Sequence, residues 1–218
     1  MRIMITGFYD DIGFMAALFY NKRLNNADIY EIASHLNNKA SDDVLAKIIA
    51  NGADNANNKK LFKNYLNALG IKFLDHKRAL IAKVFYYVLN NRIDFYKGIK
   101  FVHRNVSKSK NITRYAGDDV GIEQILGNFY VIDDGDLRNE KNIKTAIEFI
   151  IRDLKQYVNE HLVDFPMDNN ISQDNKKTVI KTEMEEKVKT KALAKGIEIK
   201  NYWDKIYDEA RKKNRNID

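Results

Sequence analysis

Apolar residues recur along this chain at the three- and four-residue spacing of an α-helix, in blocks separated by asparagines, glycines and short acidic runs. Residues 12–21 (IGFMAALFYN) place Phe14, Leu18 and Phe19 on one side, with Ala16 and Ala17 admitting close packing. Asn26-Ala-Asp28 then precedes a second helix whose core face is Ile29, Ile32, Ala33 and Leu36. Ser41 reads as the N-cap of a third, DDVLAKIIANG; Asp42 and Asp43 meet the positive end of its dipole and Gly52 ends it. Residues 59–69 carry Leu61, Phe62, Tyr65, Leu66 and Leu69 as one broad stripe, closed by Gly70. Residues 75–90 show little polar surface around Leu80, Val84, Phe85, Val88 and Leu89, which predicts a central helix, and a shorter one follows over 94–103.

The pattern breaks at residues 107–121, SKSKNITRYAGDDVG, a polar stretch with two glycines that reads as a loop. Ile122, Ile125 and Leu126 suit a turn of helix, and FYVIDDGD reads as a short strand and tight turn near 129–136. Helical spacing returns over 142–162 through Ile143, Ile147, Ile150, Leu154 and Val158, until Pro166 forbids continuation. The expected architecture is mainly α, an irregular helical bundle or stacked helical pairs. It comprises a helical domain over 1–166, a linker over 167–178 and a charged C-terminal helical segment over 179–218. That last segment carries a thin seam of Met184, Val188, Ala192, Ile199, Trp203, Ile206 and Ala210, interrupted at Gly196.

Composition narrows the chemistry. The 218 residues include no cysteine, one proline and four scattered histidines, so disulfide and thiol chemistry are excluded and an intracellular, cytoplasmic protein is the expectation. The N-terminal stretch lacks the features of a signal peptide, and no apolar run approaches the length of a membrane span. The net charge of +7 is spread thinly: 24 Lys/Arg against 20 Asp/Glu before residue 167, and 13 against 10 after it. A nucleic-acid binder gathers such an excess into a patch or arm.

Three groups of residues could carry function. Asp118, Asp119 and Glu123 form one acidic group and Asp133, Asp134 and Asp136 another. They offer contacts for a basic partner. If Asp118 and Asp119 converged with the 133–136 acidic turn, they could instead serve a metal-dependent hydrolase. No metal or cofactor is expected, and the alternative to function is a pair of solvated turns. The basic run His103, Arg104, Lys108, Lys110 and Arg114, with Tyr115 to stack on a base, is the nucleic-acid alternative. Trp203 and Tyr207 share one face of the terminal helix, either anchoring a partner or docking on the protein's own core.

The opening GFMAALFYNKRLNNADIYEIASHL, with Ala27, Asp28, Ile29, Tyr30, Ala33 and Leu36 in an "xDIYxxAxxL" pattern, resembles helical immunity proteins of bacterial polymorphic toxin systems. FYYVLNNRIDFYKGIKFV and ILGNFYVIDDGDL extend the resemblance over about residues 10–160. It implies a cytoplasmic antidote that binds a cognate toxin domain and covers its active site, without catalytic residues. Asp118, Asp119, Glu123, Asp133, Asp134 and Asp136 would then face a basic toxin. The +7 charge argues against that detail.

Overall fold

The computed structural model describes residues 5–105, 119–135, 139–162 and 182–215. They are mainly α-helical, with nine α-helices and no strand among them. The 167–178 linker expected from sequence lies outside the described residues. The chain divides into two compact units, residues 1–83 with 161–176 and residues 84–160 with 177–218.

The first unit holds α1 (Ile12–Tyr20), α2 (Asn26–Lys39), α3 (Asp43–Asn51), α4 (Asn58–Ala68) and the first half of α5 (His76–Leu89). Side chains start α1, α2 and α3 by satisfying otherwise orphaned backbone donors. Asp11 accepts from the Phe14 N–H at 2.8 Å, and Asn25 and Asp28 form a reciprocal capping box. The third cap is Asp42, not Ser41 as expected: its carboxylate accepts from both Val44 and Leu45. Both donors reach the same oxygen, Oδ1, of an aspartate one residue after the expected cap. Gly52 and Gly70 end α3 and α4 with positive φ, 77° and 70°. Helices α2, α3 and α4 pack in succession over a core of Ile29, Ile32, Leu45, Ile48, Phe62 and Leu66, all fully buried. Asn58 is also fully buried, donating to the Gly52 carbonyl at 2.8 Å and accepting from Asn51, so it ties the α3–α4 turn.

The second unit contains the rest of α5, then α6 (Phe95–Asn105), α7 (Glu123–Asp133), α8 (Glu140–His161) and α9 (Thr182–Arg215). Two expectations fail here. Residues 129–133 are helical rather than a strand. FYVI is locally strand-like, but Ile125, Phe129 and Ile132 recur at helical spacing and all three are buried. Gly196 does not interrupt α9, which runs through it. A Cβ there would lie 2.7 Å from Ile143 Cγ2 and 3.0 Å from the Tyr96 hydroxyl, so the missing side chain lets α9 sit against α6 and α8. Tyr96 donates its hydroxyl to the Ala192 carbonyl at 3.2 Å in the same seat.

Candidate functional site

The second unit holds the residues around which function was sought. Glu123 opens α7, and Asp153, Gln156, Tyr157 and Glu160 project from α8 at positions i, i+3, i+4 and i+7 of one face. Together with Gly121, Gln124 and Ile125 they line an open cleft of about 130 Å³. Its charged residues are Glu123, Asp153 and Glu160, all acidic. Asp153 Oδ1 accepts from Arg152 Nε and Nη2 at 3.0 and 2.9 Å, while its Oδ2 is buried without a hydrogen bond. The Tyr157 ring lies edge-on to Phe85 and is 4 % exposed. Such a cleft suits an ammonium or guanidinium group.

The second acidic group is elsewhere. Asp133 and Glu123 are the two ends of α7, about 15 Å apart at 1.5 Å per residue. Asp133 pairs with Lys100 at 2.8 Å, and its carbonyl accepts a long bond of 3.3 Å from Trp203 Nε1. Asp134 is exposed and caps α7 through its backbone N–H, which donates to the Tyr130 carbonyl; Gly135 follows with φ +74°. Asp119 sits in the turn before α7. Asp118 and Asp136 lie outside the described residues. Glu123 and Asp133 therefore do not meet. Among the described residues, no group of three or more His, Asp or Glu could hold a metal ion.

In the basic region, His103 Nδ1 and the Tyr130 hydroxyl share a hydrogen bond of 2.6 Å, with the two rings edge to face. Burial raises the Tyr130 hydroxyl above the ordinary tyrosine range, and the charges of Asp134 and Asp133 add to this. Arg104 is exposed at the end of α6. Lys108, Lys110, Arg114 and Tyr115 lie outside the described residues.

The terminal aromatics divide. Trp203 docks on the protein itself: its ring covers Gly135 so closely that a Cβ there would lie 2.4 Å from Cδ1. Tyr207 stacks at a tilt against Trp203, with centroids 6.1 Å apart, and is 51 % exposed. Tyr202 and Ile206 are 60 % and 37 % exposed. Upstream, Glu185 is held by Lys155 and by Lys189 at 2.9 Å, which fastens α9 to α8. Burial alone would raise the Glu185 carboxyl; the hydrogen bonds from Lys155 and Lys189 outweigh it, and the group lies below its ordinary range.

The cleft residues Asp153, Gln156 and Glu160 were not singled out from sequence. Their signal was the polar i, i+3, i+7 row of α8 that flanks its apolar stripe. Among the described residues, no helix is long and apolar enough to cross a membrane. Compared with known proteins, the chain matches no family model, no curated protein and no solved structure.

Proposed function

We propose that this protein acts by binding another protein, and specifically that it neutralises a bacterial toxin domain by covering its active site. The carrying observation is the exposed face of α9, where Tyr202, Ile206 and Tyr207 adjoin a tryptophan already fixed to the body. Rigidly presented tyrosines bury large area with few rotors to freeze, the property of interface anchors. The acidic cleft at Glu123, Asp153 and Glu160 supplies a second contact, one that receives a lysine or arginine of the partner. The toxin identity of the partner rests on the resemblance of the ADIYEIASHL region to immunity proteins. Occlusion requires no turnover, cofactor or metal.

Neutralisation tests the reading. Each reading frame neighbouring this gene is expressed in a susceptible bacterium, with and without the chain. One of them is expected to stop growth alone and to permit it in the chain's presence, with a stoichiometric complex on size-exclusion chromatography. If every toxic neighbour kills equally in both strains, the antidote reading is wrong.

A further inference from the structure

The first unit carries a face that is both apolar and positively charged. At the end of α1, the Tyr20 hydroxyl reaches Asn67 Oδ1 on α4 at 3.4 Å, and the Tyr20 ring lies edge-on to Phe73 with centroids 5.9 Å apart. Asn21 Nδ2 donates to the His76 carbonyl at 2.6 Å. The end of α1, one row of α4 and the α4–α5 turn over 69–75 therefore share one surface. In that turn Leu74 is 93 % exposed and Leu69 49 % exposed, while Tyr20 and Phe73 are half-buried. A single exposed leucine is ordinary; two in one short turn, beside two aromatic rings, make a patch.

Charge frames the patch. Over residues 55–78 the sequence sets Lys59, Lys60, Lys63, Lys72, Lys77 and Arg78 against Asp75 alone. Asp75 is already engaged. Its Oδ1 caps α5 by accepting from the Lys77 and Arg78 N–H groups at 2.8 and 3.1 Å, and Arg78 Nε lies 3.8 Å from its Oδ2. Lys59 and Lys63 precede Asn67 by eight and four residues on α4, in the row that meets Tyr20. Lys72 is two residues from Leu74, and Lys22 is two from Tyr20. These four lysines are exposed and make no ion pair among the described residues. The surface therefore calls for an anionic occupant.

Its side chains also select the class of that occupant. Laid against itself in a second copy, the face would bring these lysines together with only Asp75 to answer them. Nucleic acid stacks on bare aromatic faces, but here the two rings meet edge to face and the most exposed side chain is an aliphatic leucine. Protein interfaces are enriched in arginine and depleted in lysine, and the face's cations without an ion pair are all lysine. An anionic bilayer receives both parts: leucine enters the acyl boundary, and hydrated lysines stay among the headgroups. We infer that the α4–α5 turn is a peripheral docking surface for an anionic lipid bilayer, with Leu74 inserted and Lys22, Lys59, Lys63 and Lys72 against the anionic headgroups. This goes beyond the toxin-neutralising reading and does not depend on it.

The chain has no cysteine, so Leu74→Cys accepts a single environment-sensitive nitrobenzoxadiazole label. Asn142→Cys, exposed on α8 in the second unit, carries the same label as a control. Each labelled full chain is mixed with vesicles of equal phosphatidylglycerol and phosphatidylcholine, and with vesicles of phosphatidylcholine alone. Co-sedimentation then gives the affinities of unlabelled wild type, Lys63→Glu/Lys72→Glu and Leu74→Asn, with helix content checked by circular dichroism. Support is a brighter, blue-shifted emission at residue 74 but not at 142, on the anionic vesicles alone, with binding weaker by about tenfold or more in each variant. Absence of binding to the anionic vesicles overturns the inference. So does binding that leaves the label at 74 unshifted, or that both variants retain at wild-type strength. A label at 74 that responds to an oligodeoxythymidine or to polyglutamate, and not to vesicles, overturns it in favour of a soluble polyanion. The neutralisation assay tests the earlier reading separately, so either reading can fail while the other stands.

Discussion

Replacing Gly196 with alanine sets two effects of opposite sign against each other. In an open helix interior, Gly→Ala stabilises by about 1 kcal/mol, because glycine loses more backbone freedom on folding. At residue 196 the added Cβ would sit 2.7 Å from Ile143 Cγ2 and 3.0 Å from the Tyr96 hydroxyl, with Ile132 Cγ2 next at 3.5 Å. Optimal carbon contacts are about 3.5–4.0 Å, so α9 or α8 must move by roughly 1 Å, and overpacking of this kind costs about 1–3 kcal/mol. The same shift strains the bond from Tyr96 to the Ala192 carbonyl, worth about 1 kcal/mol. The balance is a net destabilisation of about 1–3 kcal/mol. Gly127, inside α7 with nothing within 4 Å of its virtual Cβ, is the matched control, and Gly127→Ala gains the helix term alone. Urea unfolding followed by the single tryptophan, Trp203, reads both variants in the unit where they lie. The midpoint should fall for Gly196→Ala and rise for Gly127→Ala. If Gly196→Ala matches or exceeds wild type, the close seat of α9 is not real.

Gly135→Ala should dislodge the indole. Its φ of +74° and the 2.4 Å approach to Trp203 leave no room for a methyl, so Trp203 emission should shift to longer wavelength; an unchanged spectrum would refute the docking of Trp203. Glu185 makes an acid prediction. Its carboxyl lies below the ordinary 4.5 in the folded chain, so its stabilisation is complete above that value and is lost as pH falls through the lowered folded pKa. Urea midpoints of wild type should therefore fall more steeply with acid than those of Glu185→Gln; parallel slopes would show that the Lys155–Glu185–Lys189 contact carries no stability.

Helix positions were largely legible because their apolar spacing is regular: Ile143, Ile147, Ile150 and Leu154 announce α8 without help from tertiary context. Two of the misreadings were local signals outvoted by packing. Gly196 has the composition of a break, yet it is held helical by Tyr96 and Ile143, residues far from it in sequence. FYVI favours a strand until Ile125 and Ile132 are buried on the same side of α7. The candidate site was legible one residue at a time. Glu123 was found as part of an acidic run, but its companions come from α8, and no run of sequence contains both. Trp203 and Tyr207 were correctly placed on one face, though only packing could show that the first is docked and the second left exposed.

The seat of α9 also sets a timetable. Tyr96 meets Ala192 across 96 positions, and Lys191 meets Asn91 across 100. At synthesis rates of about 5–20 residues per second, roughly 5–20 s separate the emergence of the seat from that of the helix that fills it. Tyr96 lacks the helix that covers it for that whole interval, and Ile132 and Ile143 lack it for more than half as long. The second unit is therefore a slow, non-local closure, and a newly made chain is most vulnerable to aggregation or misplaced contacts just before α9 arrives.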